Sequence, residues 1–288
     1  MNNILVTGAD GQLGSEIKKI SEKFSDYHFI FTNKSTLNIY EKKKLCSFIE
    51  ENKIKGIINC AAYTNVDKAE SDAELCEKVN SIAPQYLAEV AKLYKCKFIH
   101  ISTDYVFDGN SFKPYITDDT PNPQSKYGET KLLGELAINK VNPENSIIIR
   151  TSWVYSSFGN NFVKTMLRLE KERDELNIIY DQIGTPTFAG DLAEVILEIL
   201  PKINNKHVEV FHYSNEGVSS WYDFAAAIFE LSDSKCKVKP IKSSQFPTIA
   251  KRPLYSVLDK TKIKETYQIN IPYWRESLKK CLKTLKDK

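Results

Sequence analysis

A tyrosine four residues ahead of a lysine is the feature of this sequence best suited to chemistry. The stretch "SKYGETK" (125–131) holds Tyr127 and Lys131 at a spacing that puts both side chains on one face of a helix. A ketone that receives hydride builds negative charge on its oxygen and needs a proton donor beside it. A phenol, with an unperturbed pKa of about 10, is a poor donor near neutrality unless a neighbouring cation lowers that value. Spacing alone does not decide the matter. With 15 tyrosines and 35 lysines (40 basic residues less five arginines) among 288 residues, about two such Tyr–Lys pairs arise by chance. The second, Tyr40–Lys44, falls in "LNIYEKKKLCSFIEEN" (37–52), which reads as a charged helix with a solvated face.

Context favours Tyr127. It follows the apolar run "KFIHIST" (97–103), whose end offers Ser102, Thr103 and Asp104. A strand-end hydroxyl such as Thr103 would complete a hydrogen-bonded site around a carbonyl oxygen. Ligands of open α/β sheets bind along the carboxyl edge of the strands, where this run ends.

The elements that must position these groups are legible as a rhythm. Short apolar runs recur at 3–8, 28–32, 54–62, 97–103 and 146–152, with helical patterns between them. Strand–helix alternation of this kind predicts right-handed crossovers and a Rossmann-type doubly wound parallel sheet of the α/β class. A helix is expected over Gln12 to Phe24 and another in "SKYGETKLLGELAINK". Pro84 should split or kink the helical segment at 73–95. After residue 155 the rhythm loosens. We therefore divide the chain into a nucleotide-binding domain at 1–155 and a mainly substrate-binding lobe at 156–288, with some late elements returning to the main sheet. "FPTIAKRPLYSVLD" (246–259) reads as an ordered loop over a pocket, and "SSWYDFAAAIFELS" (219–232) as a capped helix.

The first apolar run ends in "GADGQLG", with Gly8, Gly11 and Gly14. Glycine permits the sharp turn and a close backbone approach to a pyrophosphate, while the following helix start offers unpaired N–H groups. The acid usually found about 20 residues on, which binds an adenine ribose 2′-hydroxyl, is missing. Instead the second run ends in Thr32, Asn33, Lys34 and Ser35. Lys34 could pair with a 2′-phosphate, which favours NADPH over NADH. A mobile surface lysine is the sober alternative.

Composition excludes other classes. The net charge is +3 with basic residues scattered, too little to argue for nucleic acid. No run approaches the roughly 18 apolar residues of a membrane span. The start lacks a signal peptide's basic and apolar regions, so a cytoplasmic setting is expected. The six cysteines form no C-x-x-C pair and should be reduced thiols. The four histidines form no zinc pattern, and no metal site is assigned. His100 reads as a buried, hydrogen-bonded strand histidine.

With "GADGQLG", "NCAAYTNVDKAE", "HISTDYVFDG" and "YGETK" in order, the sequence resembles the extended short-chain dehydrogenases/reductases. The blocks "RTSWVYSSFGNNFV", "DQIGTPTFAGDLA", "FHYSNEGVSSWYDFA" and "AKRPLYSVLDKTKI" narrow the resemblance to the dTDP-4-dehydrorhamnose reductase family, over almost the entire chain. The resemblance implies NAD(P)H-dependent reduction of a 4-keto dTDP-deoxysugar, a step toward a surface polysaccharide precursor. It implies that Gly11, Gln12 and Leu13 line the cofactor pyrophosphate, and that Ala62, Tyr63 and Thr64 line its sugar and nicotinamide side. Tyr127 would protonate the carbonyl oxygen, Lys131 would bind the nicotinamide ribose and depress the Tyr127 pKa, and Thr103 would hydrogen-bond the reacting oxygen. Asp104 and Trp153 would contact the deoxysugar, and Arg252 the diphosphate. The family often has Leu-Asp where this chain has Leu37-Asn38, which weakens any cofactor contact there. Some members are dimers with magnesium near an acid that Glu16 matches, with Asp191 as a second carboxylate. A surface pair explains those two acids equally well, and the chain is expected to be a monomer or homodimer.

Two rival readings stay open on sequence. An epimerase or dehydratase of the same superfamily would favour a second acid beside the strand-end threonine, where Thr103-Asp104-Tyr105 supplies one. A non-catalytic regulatory subunit of methionine adenosyltransferase would need neither Tyr127 nor Lys131 as a reactive pair.

Overall fold

The computed structural model describes residues 2–287. Its centre is a six-stranded parallel sheet: β1 (Asn2–Thr7), β2 (Tyr27–Thr32), β3 (Ile54–Asn59), β4 (Lys97–Thr103), β5 (Ser146–Thr151) and β6 (Glu209–His212). The spatial order is β6-β5-β4-β3-β1-β2. Each of the five apolar runs expected from the sequence forms one strand. Because β2 and β3 lie on opposite sides of β1, the chain reverses its winding there and leaves a crevice at the carboxyl ends of β1 and β3.

Both sheet faces are covered, which explains why the strands read as continuous apolar runs. Ile4, Val6, Ile58, Ile99 and Ile149 pack against Leu13 and Ile17 of α1 (Gln12–Ile20) and against Leu192 and Ile196 of the helix Ala189–Ile199. On the other face Leu5, Ile57, Phe98 and Ile148 meet Leu45 and Ile49 of α2 (Lys42–Glu51), Leu87 and Val90 of α3 (Ala83–Tyr94), and Ile138 of α4 (Lys126–Val141). Each fully buried aliphatic side chain stabilises the fold by about 1.5–3 kcal/mol, and a one-residue register slip would turn a strand's side chains to the opposite face and disrupt packing against both helix layers. A third core gathers Tyr155, Val163, Phe224, Ile228, Trp274 and Leu278 in the later part of the chain.

Three local expectations are refined. The first helix ends at Ile20 rather than Phe24, because Ser21 Oγ bonds back to Lys18 O at 2.9 Å and a 3₁₀ turn at Ser21–Lys23 follows. Pro84 neither breaks nor ends the helical segment. A π turn at Lys78–Ile82 leads directly into α3, and this change in hydrogen-bond pattern just before Pro84 accommodates its ring and missing N–H. Tyr40 precedes α2, which starts at Lys42, so Tyr40 and Lys44 do not share a helix face. Lys44 instead pairs with Glu41 at 2.6 Å. The segment 246–259 is an ordered loop, pinned by Tyr255 N to Gly109 O (3.2 Å), Ser256 N to Ile183 O (2.8 Å) and Asp259 N to Tyr115 O (2.8 Å). Ser220 and Asp223 form the capping box of the helix Trp221–Ser232. Among the described residues no helix is long and apolar enough to cross a membrane, and no cysteine is in a disulfide.

Candidate active site

The crevice at the carboxyl edge opens into two adjoining cavities. The first, about 430 Å³, is lined by Gly8, Asp10, Gly11, Asn33, Lys34, Asn38, Ala62 and Tyr63 among others. The second, about 610 Å³, is lined by Gln12, Leu13, Thr64, Thr103, Asp104, Tyr127, Lys131, Trp153 and Arg252 among others. Gly11, Cys60 and Ala62 border both. The sequence-predicted cofactor and substrate residues are thus brought to one continuous groove, except Gly14, which lines neither cavity and packs beneath the turn.

The glycine turn is shaped for close approach. Gly8 has φ +66°, and a Cβ there would meet Ala61 N at 2.6 Å. Gly11 caps α1 without any side-chain hydrogen bond, so the first-turn N–H groups stay available to an anion. Opposite, the loop carrying Ala62 to Thr64 is clamped by Asn80, whose amide accepts from Tyr63 N (2.8 Å) and donates to Tyr63 O (3.1 Å). Asn80 lies in the π turn, which directs it inward. Lys34 is exposed at the rim of the first cavity, where Asp10, hydrogen-bonded by Asn33 at 2.6 Å, also stands. These features fit a dinucleotide whose pyrophosphate sits at the start of α1 and whose adenosine end reaches Lys34.

The reactive end is built where α4 meets the end of β4. Ser125 caps α4 by accepting from Gly128 N at 3.2 Å. Gly128 lets the helix press on the strand end, since a Cβ there would lie 2.2 Å from Tyr105 O. The approach sets Tyr127 beside Thr103, and both line the second cavity. Thr103 Oγ1 also contacts Asp104 Oδ1 at 3.0 Å and accepts from Tyr105 N at 3.2 Å. Tyr105 packs edge-on against the Tyr127 ring.

Burial governs the electrostatics here. It pushes the Tyr127 phenol well above its ordinary value, with the Thr103 hydrogen bond only partly offsetting the rise. In this structure the phenol is therefore neutral. Lys131 is itself driven down to about 8 by burial. Its Nζ donates to Ile101 O at 2.6 Å and lies 3.2 Å from His100 Nε2. Burial also raises Asp104 to about 6, against hydrogen bonds from Ser256 and Thr103.

Trp153 and Arg252 form the far wall. Trp153 adopts φ +47°, uncommon for a bulky residue, and stacks on Trp221. Arg252 donates to Tyr105 OH (3.1 Å) and Asp67 Oδ2 (2.6 Å). Sequence reasoning missed Trp221, Asn161, Asp67 and Asp10. Asn161 donates to the Gln12 amide oxygen at 2.9 Å and caps the helix Phe162–Leu169, a position at which an asparagine before an apolar run is the available sequence signal. Glu16 is bound by Ser156 at 2.6 Å, and Asp191 by Asn215 at 2.8 Å, Lys280 at 3.2 Å and Ser277. The two carboxylates thus have separate partners, and no cluster of three or more acidic, histidine or cysteine ligands forms among the described residues.

A doubly wound sheet with a glycine turn, a strand-end threonine and a Tyr–Lys helix on one groove defines an oxidoreductase of the short-chain dehydrogenase/reductase class. Residues 1–287 match the family described as the RmlD substrate binding domain, and the chain belongs to that family. It is 41% identical to the dTDP-4-dehydrorhamnose reductase of Aggregatibacter actinomycetemcomitans, across 97% of this chain and 98% of that protein. The crystal structure of a dTDP-4-dehydrorhamnose reductase from Clostridium acetobutylicum superimposes with a TM-score of 0.93 at 44% identity, covering 99% of both chains. The Bacillus anthracis dTDP-4-dehydrorhamnose reductase, solved in complex with NADP, gives a TM-score of 0.93 at 34% identity, covering 99% of this chain and 100% of that one.

Proposed function

We propose that this chain uses NADPH to reduce the 4-keto group of dTDP-4-dehydro-β-L-rhamnose to dTDP-β-L-rhamnose. The observation that carries the reading is the convergence of Tyr127, Thr103 and Lys131 on the second cavity, with Lys131 one turn along the helix from Tyr127. When bound, the cofactor supplies a hydride to the ketone carbon. Tyr127 gives its phenolic proton to the carbonyl oxygen, and Thr103 holds that oxygen by a hydrogen bond as charge develops. A phenol kept neutral by burial is the form that can donate. Lys131 orients the cofactor ribose. Asp104 and Trp153 bind the deoxysugar, and Arg252 binds the diphosphate. Gly8, Gly11, Gln12, Leu13, Lys34, Ala62, Tyr63 and Thr64 line the cofactor path, and Gly14 supports the turn. NADH would bind the same groove without the Lys34 contact. Residues 1–155 form the nucleotide-binding part and 156–288 mainly the substrate lobe. A cytoplasmic setting suits a chain whose cysteines stay reduced.

The test is a spectrophotometric assay of NADPH oxidation with a panel of 4-keto nucleotide sugars. Turnover is expected with the dTDP-linked 4-keto deoxysugar. Tyr127→Phe should lower kcat by about 10²–10⁴-fold with NADPH still bound. Full activity in that variant would remove Tyr127 from the mechanism.

A further inference from the structure

A polar row crosses the sheet beneath the site. Thr7, Asn59 and His100 are register partners in β1, β3 and β4, and none is more than 1% exposed. They extend, on the same face, the apolar row of Leu5, Ile57 and Phe98 two residues earlier. Thr7 Oγ1 donates to Asn59 Oδ1 at 2.6 Å, and Ala61 N–H donates to the same oxygen at 3.3 Å. A backbone N–H can only donate, so the Asn59 amide oxygen is turned toward Thr7 and Ala61. Its NH₂ group then faces His100 Nδ1 at 2.9 Å, and that nitrogen must accept.

A neutral imidazole with a bare Nδ1 carries its hydrogen on Nε2. Burial keeps His100 neutral, well below its ordinary pKa. Nε2 stands 3.2 Å from Lys131 Nζ. A histidine N–H therefore points at the lysine nitrogen, which suits an amine with a lone pair and opposes an ammonium. Lys131 is 1% exposed, and none of the ion pairs among the described residues includes it. Glu135, one turn on, is bound by Arg150 at 2.7 Å and by Ser102 at 2.5 Å. Cys76, from the helix Ala73–Glu77, is a thiol engaged with Thr130 at 3.1 Å. Glu135 and Cys76 both favour the ammonium form of Lys131, but burial outweighs them and neither forms an ion pair with it.

We propose that the Thr7–Asn59–His100 row is a positioning device that sets the charge of Lys131, holding it as a switchable amine instead of a permanent ammonium. The inference rests on reading Tyr127 and Lys131 as the reducing pair. It also ties the two cavities together, since Thr7 opens the glycine turn and Lys131 borders the reactive end.

Ring-nitrogen NMR on the full chain with isotope-labelled histidine tests this, because only four histidines contribute signals. Lysine side-chain NMR follows Lys131 in parallel, assigned by its loss in Lys131→Met. Across pH about 6 to about 10, His100 should stay neutral with its hydrogen on Nε2. Its signal should step where Lys131 titrates, and the step should vanish in Lys131→Met. Asn59→Asp keeps the shape but gives Nδ1 an acceptor, turning the Nε2 lone pair toward Lys131. The Lys131 midpoint should then rise by at least about one pH unit, a tenfold change in protonation. A His100 hydrogen resting on Nδ1 throughout, or an unmoved midpoint in Asn59→Asp, overturns the proposal. Should Asn59→Asp not fold, the tautomer and the Lys131→Met comparison decide it. These readouts need neither cofactor nor sugar. A chain that titrates as expected but reduces no sugar nucleotide would refute the functional reading alone.

Discussion

Trp153 lies flat on Trp221, with ring centroids 3.6 Å apart and planes 6° from parallel. The stack holds Trp153 in a left-handed backbone conformation at the wall of the substrate cavity. Such strain persists only when surrounding contacts over-determine it, and it costs on the order of 1–3 kcal/mol.

Replacing Trp153 separates the two effects. Trp153→Ala loses the stack and keeps the strain, whereas Trp153→Gly loses the stack and relieves it. Trp153→Gly should therefore be more stable than Trp153→Ala by about 1 kcal/mol, the reverse of the usual order. Denaturant unfolding of the two variants measures this. Both should raise KM for the sugar nucleotide, and Trp221→Ala should do so less.

Arg252 is held by Asp67 at 2.6 Å, across a pair about a quarter to a third exposed (25% and 36%). An ion pair this open is worth no more than about 1 kcal/mol. Asp67→Asn keeps an oxygen for Ala250 N, its 3.0 Å partner, while removing the charge that competes for Arg252. KM for the sugar nucleotide should fall by up to about fivefold. Arg252→Ala should raise it by about tenfold or more. Steady-state kinetics with saturating NADPH decides both, and a rise in KM for Asp67→Asn would contradict the competition.

Asp104 binds its proton more tightly folded than unfolded, with a folded pKa of about 6 against about 3.9 in the unfolded chain. The stability it contributes is full below the unfolded value and is lost as pH rises through about 6. Asp104→Asn should thus stabilise the fold by about 2–3 kcal/mol at neutral pH and by little below about pH 4. Thermal unfolding across pH would show this crossover. Sugar binding should weaken in the same variant.

Glu135 and Arg150 are a buried pair at 2.7 Å, with side chains 2% and 5% exposed. Glu135 also accepts from Ser102, the neighbour of Thr103. Glu135→Gln leaves Arg150 buried without a countercharge and should cost about 3–5 kcal/mol. Ser102 and Thr103 should loosen with it, so kcat is expected to fall as well. A variant with wild-type melting temperature and kcat would show that the pair supports neither.

Much of the architecture was readable without coordinates. Runs such as Asn3–Gly8 and Lys97–Thr103 are mostly apolar or buried because parallel strands are covered on both faces. The glycine turn carries its own local signal, and so does the serine cap of the helix Trp221–Ser232. Tyr127 and Lys131 follow from a four-residue spacing on one helix, and His100 is the buried, hydrogen-bonded strand residue its setting implied.

The sequence by itself determined these strands, this helix face and the edge on which they end, since each depends on contacts within a few residues. Only the tertiary structure decided what each group does electrostatically and whom it meets. The Tyr127 phenol is pushed up because packing at the end of β4 restricts water around its hydroxyl. Asp67 meets Arg252 across 185 positions, and Trp153 meets Trp221, because loops from different parts of the chain close over one groove. Thr7, Asn59 and His100 align because strand register places them side by side. Crossovers of any length satisfy that register, so no local pattern encodes it.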